Sequence, residues 1–214
     1  IMDKYDPEKR IAMIVDEWGA WYNVEPGTNP GFLYQQNTLR DALLAGTIFN
    51  IFHKHADRVR IANIAQLVNV LQSLFLTEKD KMLLTPTYHV FDMYKVHQDA
   101  TMLPVDIVSH DYSRIGKSIK AVSVSASQNA EGKTHVSFVN VDPNQSVEVS
   151  CDIKTTKALK FVSGNIITAP TTDSHNTFEK PNQVVLKDYK DASIKNGVLT
   201  VKLPAKSLVT VALN

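Results

Sequence analysis

The chain has 214 residues, and Lys+Arg 23 against Asp+Glu 22 leaves a formal net charge of +1. So even a balance supplies no field that would select nucleic acid or a membrane surface as partner. No apolar stretch approaches the roughly 18–20 residues of a spanning helix, and the single cysteine, Cys151, excludes an internal disulfide or a multi-cysteine metal site.

Ile1-Met-Asp-Lys4 lacks the basic start and apolar run of a signal peptide. Ile11-Ala-Met-Ile-Val15 is a continuous apolar run, the pattern of a parallel strand buried on both faces. It stops at Asp16-Glu17-Trp18-Gly19, and Glu25-Pro-Gly-Thr-Asn-Pro-Gly31 marks a loop. From about Phe32 to Ala56 the spacing is helical, with Leu39, Leu43, Phe49 and Phe52 on one stripe and Leu44, Ile48 and Ile51 widening it. A helix apolar over that much of its surface packs on more than one side. Val59 to Ala65 reads as a second buried strand, so the segment forms a strand–loop–helix–strand unit of the α/β kind. Thr85-Pro86 opens another helix to about Gln98, with Tyr88, Phe91 and Tyr94 on one face.

After Pro104 the period becomes two. Val122, Val124 and Ala126 alternate with Ser123, Ser125 and Ser127, and the pattern recurs around Val136–Asn140, Val147–Cys151, Leu199–Leu203 and Val209–Leu213. Turn signals at Asn129–Gly132, Asp142-Pro-Asn144 and Asn196-Gly197 separate these runs, which together predict an antiparallel β-sandwich. The division falls at 1–104 and 105–214. Lys187 to Lys195 carries mixed charges and reads as a solvated turn, and Cys151 as a small buried hydrophobe.

Glu17 is the sharpest chemical feature. A carboxylate just past a buried parallel strand stands where α/β barrels build active sites. Both tryptophans, Trp18 and Trp21, lie within four residues of it. Ring faces beside a carboxylate suit a sugar site, since they stack on C–H-rich faces while the carboxylate reacts. Strand-end position alone equally admits a solvated carboxylate with the tryptophans in the core. His53-Lys-His55 does not make a metal site on a helix, because residues two apart face different ways. His89 and His97, eight apart, have no third ligand at useful spacing, and no metal or cofactor is expected.

Several stretches resemble the α-L-arabinofuranosidases of glycoside hydrolase family 51. They are Ile14-Val-Asp-Glu-Trp-Gly-Ala-Trp-Tyr22, Leu39-Arg-Asp-Ala-Leu-Leu-Ala-Gly46, and His55-Ala-Asp-Arg-Val59 running into Ile61-Ala-Asn-Ile-Ala-Gln-Leu-Val-Asn69. His175-Asn-Thr-Phe-Glu-Lys-Pro181 and Leu203-Pro-Ala-Lys-Ser207 extend the match over most of the chain. The resemblance implies the C-terminal part of a (β/α)8 TIM barrel (1–104) followed by an antiparallel, jelly-roll-like β-sandwich (105–214). It implies a retaining, exo-acting hydrolase that releases terminal α-L-arabinofuranosyl groups from arabinan or arabinoxylan. Glu17 matches the catalytic nucleophile, Gln66 a glutamine that hydrogen-bonds the sugar, and Trp21 an aromatic lining the site.

A retaining glycosidase needs a second carboxylate, about 5–5.5 Å from the first, as acid and base. The family carries it in an Asn-Glu pair on an earlier strand, and no such dipeptide occurs here. A barrel takes about 250 residues, and only ten residues precede Ile11. The resemblance therefore implies an internal N-terminus, a missing N-terminal barrel portion as partner, inactivity of this chain alone, and homo-oligomerisation of the full-length form. Two other readings stand beside it. One is a different retaining barrel glycosidase of the endo-xylanase or cellulase type; the other is a non-catalytic carbohydrate-binding or assembly module. No Trp follows Trp21, which disfavours the binding module.

Overall fold

A computed structural model describes residues 1–64, 66–155 and 159–214. A one-turn helix α1 (Met2–Tyr5) precedes strand β1 (Met13–Val15). After a long loop come helix α2 (Leu39–Lys54) and strand β2 (Val59–Ala62). β1 and β2 pair in parallel, Ile14 opposite Ile61 and Val15 opposite Ala62, so the expected strand–loop–helix–strand unit is present. Of the second strand expected over 59–65, Ala65 lies outside the described residues. Hairpin β3 (Phe75–Glu78) and β4 (Lys81–Leu84) leads to helix α3 (Pro86–Tyr94), whose Thr85 hydroxyl caps Tyr88 N–H and whose Pro86 occupies the first turn. A 3-10 turn, Lys95–His97, brings the chain to β5 (Thr101–Leu103).

The rest is strand. After hairpin β6 (Asp111–Arg114) and β7 (Lys117–Lys120) come β8 (Val122–Gln128), β9 (Thr134–Asn140) and β10 (Val147–Asp152). Then follow β11 (Phe161–Thr168), β12 (Lys187–Asp188), β13 (Ala192–Lys195), β14 (Val198–Leu203) and β15 (Ser207–Leu213). One sheet runs β12-β11-β15-β9-β8-β5 and the other β10-β14-β13, and all neighbours in both are antiparallel.

Alternation places two cores on opposite faces of the larger sheet. Phe138, Val209 and Ile166 face the smaller sheet, where they meet Leu199, Val201 and Leu203. Val139, Leu208 and Ile167 face α2 and α3, where they meet Leu39, Leu43, Phe49 and Val90. The result is helices on sheet on sheet. β9 and β15 are buried at every residue. Helix α2 comes so close that a Cβ on Gly46 would lie 2.3 Å from Leu208 Cδ1. The first turn of α2 closes on Asp41, whose carboxylate accepts from Thr38 N–H at 2.8 Å. Its free amides at Leu39 and Arg40 donate to the carbonyls of Ser174 and Thr172 in the loop between β11 and β12.

Two expectations need correction. The Ile11–Val15 run has the pattern of a strand buried on both faces, yet Ile11 is 63% and Ile14 54% exposed, and Ile61 on β2 is 47% exposed. A parallel pair needs cover on both faces and both edges, and the described residues supply only α2. The Lys187–Lys195 stretch is not a solvated turn. It contributes β12 and β13, and between them Tyr189 is buried, its hydroxyl donating to the carbonyls of Asp191 and Lys202. Cys151 is partly buried against the sandwich core.

Candidate active site

The C-terminal ends of β1 and β2 are tied together. Asn63 N–H donates to Val15 O at 2.8 Å, and its side-chain amide donates to Asp16 Oδ1 at 2.9 Å. Glu17 follows immediately and is exposed. Gln66 lies four residues past the end of β2, also exposed, with a left-handed backbone at φ +45. Glu17 and Gln66 therefore leave from the same end of two paired parallel strands.

The two tryptophans part company. Trp18 turns inward, with ring centroids 5.1 Å from Phe49, 5.5 Å from Phe52 and 6.0 Å from Phe91. Trp21 is 62% exposed. Spacing alone did not separate them. Between them the chain bends at Gly19, whose φ of +117 favours glycine.

The loop after Glu17 is braced from several sides. Gln35 accepts Tyr22 N–H at 2.8 Å and donates to Ala20 O at 2.9 Å, and Gln72 donates to the same carbonyl. The Arg40 guanidinium lies 3.8 Å from the centre of the Tyr22 ring. Burial pushes the Tyr22 hydroxyl above its ordinary pKa. Glu25 closes the loop base, pairing with Tyr34 O through its N–H and accepting from Gln36 N–H. Gln36 in turn meets His175 at 2.8 Å. Asn176 staples the same segment down by donating to Leu84 O and Val184 O. At the other end of the strand pair, Arg58 donates to Asp3, to Asp6 at 2.6 Å and to Ile11 O, holding the N-terminal segment against β2. Backbone donation from Ile11, with Arg58 beside it, holds the Asp6 carboxyl below its usual range.

A second polar cluster lies between helices and sheet. His97 bonds Ser127 through Nδ1 at 2.7 Å and Ser137 through Nε2 at 2.8 Å. His53 bonds Ser125 at 3.0 Å, and Ser125 and Tyr94 both donate to Asn50 Oδ1. Burial lowers the His53 pKa to about 4 and that of His97 to about 3, the latter helped by His53 and His135 nearby. His53, in the last turn of α2, is thus also an interface residue. His97 thus has a hydrogen-bond partner on each of two neighbouring strands, β8 and β9. The serines alternating with valines on β8 and β9 were the available signal, since a strand's polar face needs donors and acceptors if a helix covers it.

The family model described as the α-L-arabinofuranosidase C-terminal domain matches residues 16–207. An intracellular exo-α-L-arabinofuranosidase of Bacteroides ovatus is 51% identical over 214 residues, covering all of this chain and 41% of that protein. Among solved structures, the GH51 arabinofuranosidase from Xanthomonas axonopodis pv. citri superposes with a TM-score of 0.96 at 48% identity, over 100% of this chain and 43% of that one. The arabinose complex of the Thermotoga maritima α-L-arabinofuranosidase shares the fold at a TM-score of 0.82 and 24% identity, over 99% and 45%. The chain thus spans under half the length of these relatives.

Proposed function

The chain belongs to the α-L-arabinofuranosidase C-terminal domain family, and from that premise we propose that it is the C-terminal portion of a retaining exo-glycosidase releasing terminal α-L-arabinofuranosyl groups from arabinan or arabinoxylan. The observation that carries this reading is Glu17 at the C-terminal end of β1, beside the end of a parallel partner strand. That is where a (β/α)8 barrel presents its catalytic groups. On this reading β1 and β2 are the last two barrel strands. Residues 1–104 end the barrel and 105–214 form the sandwich, with β5 as an edge strand that the first segment lends to the larger sheet.

Glu17 attacks the anomeric carbon and forms a glycosyl-enzyme ester. A second carboxylate, supplied by the barrel portion beyond this chain, protonates the leaving oxygen and then activates water. Glu17 is exposed at the strand end, where an incoming sugar can reach it. Gln66 offers one donor group and one acceptor, which suits a sugar hydroxyl that does both. Trp21 offers a ring face to the furanose. The barrel portion also covers Ile11, Ile14 and Ile61, whose exposure supports a missing neighbour. The full-length form is a homo-oligomer; nucleic acid and membrane are not partners.

The test is hydrolysis of 4-nitrophenyl α-L-arabinofuranoside, with the barrel portion and without it. The chain alone is expected to be inactive. With the barrel portion, Glu17→Gln should lower kcat by about 10³-fold or more. Full activity of that variant would overturn the reading, and oligosaccharide products in place of free arabinose would point to an endo-acting enzyme.

A further inference from the structure

Two almost fully buried glutamines converge on one carbonyl of the loop that carries Trp21. Gln35, 2% exposed, comes from the segment before α2, and Gln72, 3% exposed, from the segment after β2. Both donate to Ala20 O, and Gln35 also accepts from Tyr22 N–H. A buried amide costs free energy unless it is hydrogen-bonded, and a loop outside regular structure must find partners for its own backbone groups. The two needs answer each other here. A Cβ on Gly19 would sit 2.9 Å from Gln72 Cδ, so the loop and the glutamine also fit by shape. Gln72 itself takes a left-handed backbone, φ +58, which a non-glycine residue adopts only where its surroundings impose it. Trp21 is thereby bracketed by two anchored neighbours, Ala20 and Tyr22, while its own ring stays in solvent.

We propose that Gln35 and Gln72 are positioning residues that hold the Gly19–Tyr22 loop and so preset Trp21 as the stacking platform for the furanose ring. The proposal rests on the reading of Trp21 as a residue of the sugar site. A platform ordered before binding spares the ligand the cost of ordering it. An exposed indole on a free loop would bind more weakly without any change in the chemistry at Glu17.

The chain is labelled with 5-fluorotryptophan, which gives one ¹⁹F resonance each for Trp18 and Trp21, assigned through Trp21→Phe. Gln35→Leu, Gln72→Met and the double variant should move the Trp21 resonance to its random-coil position and leave that of Trp18, the report on an intact core, in place. Gln35→Leu should also abolish hydrogen-exchange protection of the Tyr22 amide. In the enzyme completed by its barrel portion, the same variants should raise KM for the aryl arabinofuranoside about tenfold and change kcat less than about twofold. A Trp21 resonance that stays put, or a KM that does not move once the loop is released, overturns the proposal. Trp21→Ala separates the two levels: if it leaves KM unchanged, the assignment of Trp21 to the sugar site has failed, whatever the clamp does to the loop.

Discussion

The sandwich strands β9 and β15 and the parallel strands β1 and β2 are built from the same kinds of residue, yet every residue of the first pair is buried and none of the second. The contrast separates what a strand is suited to meet from what it meets. Val, Ile and Phe on β9 and β15 are answered on one side by the smaller sheet and on the other by α2 and α3. Ile14 and Ile61 stand opposite each other on the face turned away from Ala62, which packs on the helix core, so about half of their apolar surface stays in solvent and contributes little to the stability of this chain. Helix α2 joins the two regimes. Its Leu39, Leu43 and Gly46 press on the sheet, while Ile51 is 52% exposed.

The sharpest way to break this comparison is a pair of truncations. Phe138→Ala, at 0% exposure in the sandwich core, should cost about 3–5 kcal/mol. Ile14→Ala, at 54% exposure, should cost about 1 kcal/mol or less. Urea midpoints measured on both variants check this, and comparable losses would mean that the strand pair is covered in solution.

Acidification is expected to act next, first through the histidines of the helix–sheet seam. His53 and His97 are held neutral by burial, with pKa values of about 4 and about 3 against an ordinary 6.5. The unfolded chain therefore takes up protons first. Stability should fall as pH drops below 6.5, and the share carried by the two histidines is spent once their folded-state values are passed. Each of the two histidines should cost up to about 3 kcal/mol between pH 7 and 4. His97→Gln should flatten the curve, and a midpoint independent of pH over that window would contradict the assignment.

A smaller effect tests the closeness of α2 to the sheet. In Gly46→Ala the new methyl meets Leu208, and overpacking should cost about 1–3 kcal/mol despite the better helix propensity of alanine. Pairing it with Leu208→Ala, which opens the space, should recover part of that loss in a double-mutant cycle. Simple additivity would show that the helix stands further off.

Much of the fold was legible in the sequence where periodicity was clean. The runs at Val122, Val136, Val147, Leu199 and Val209 are strands β8, β9, β10, β14 and β15, and the unit from Ile11 to Ala62 is β1–α2–β2. β11 was not anticipated, although it sits between β15 and β12 in the larger sheet. Gly164-Asn165 interrupts its alternation, and its main partner lies some forty residues further along the chain. β12 and β13 are hidden by charge, because their lysines point to solvent while Tyr189, Ala192 and Ile194 pack on the sandwich core. At the candidate site, the position of Glu17 past an apolar strand was readable. The anchoring glutamines were not, since a glutamine's role depends on which backbone group happens to lie across from it.

The sequence by itself determined the periods, hence which side chains share a face, and the place where an apolar strand hands over to a carboxylate. Only the tertiary structure decided what each face meets. The serine face of β8 and β9 looks like a solvent face in one dimension, and in three it lies under two helices and holds buried histidines. Trp18 and Trp21 look equivalent, and one is core while the other stands in solvent. The physical reason is common to both cases. Periodicity records orientation relative to one element's own axis, whereas burial is set by a second element brought close from a distant part of the chain.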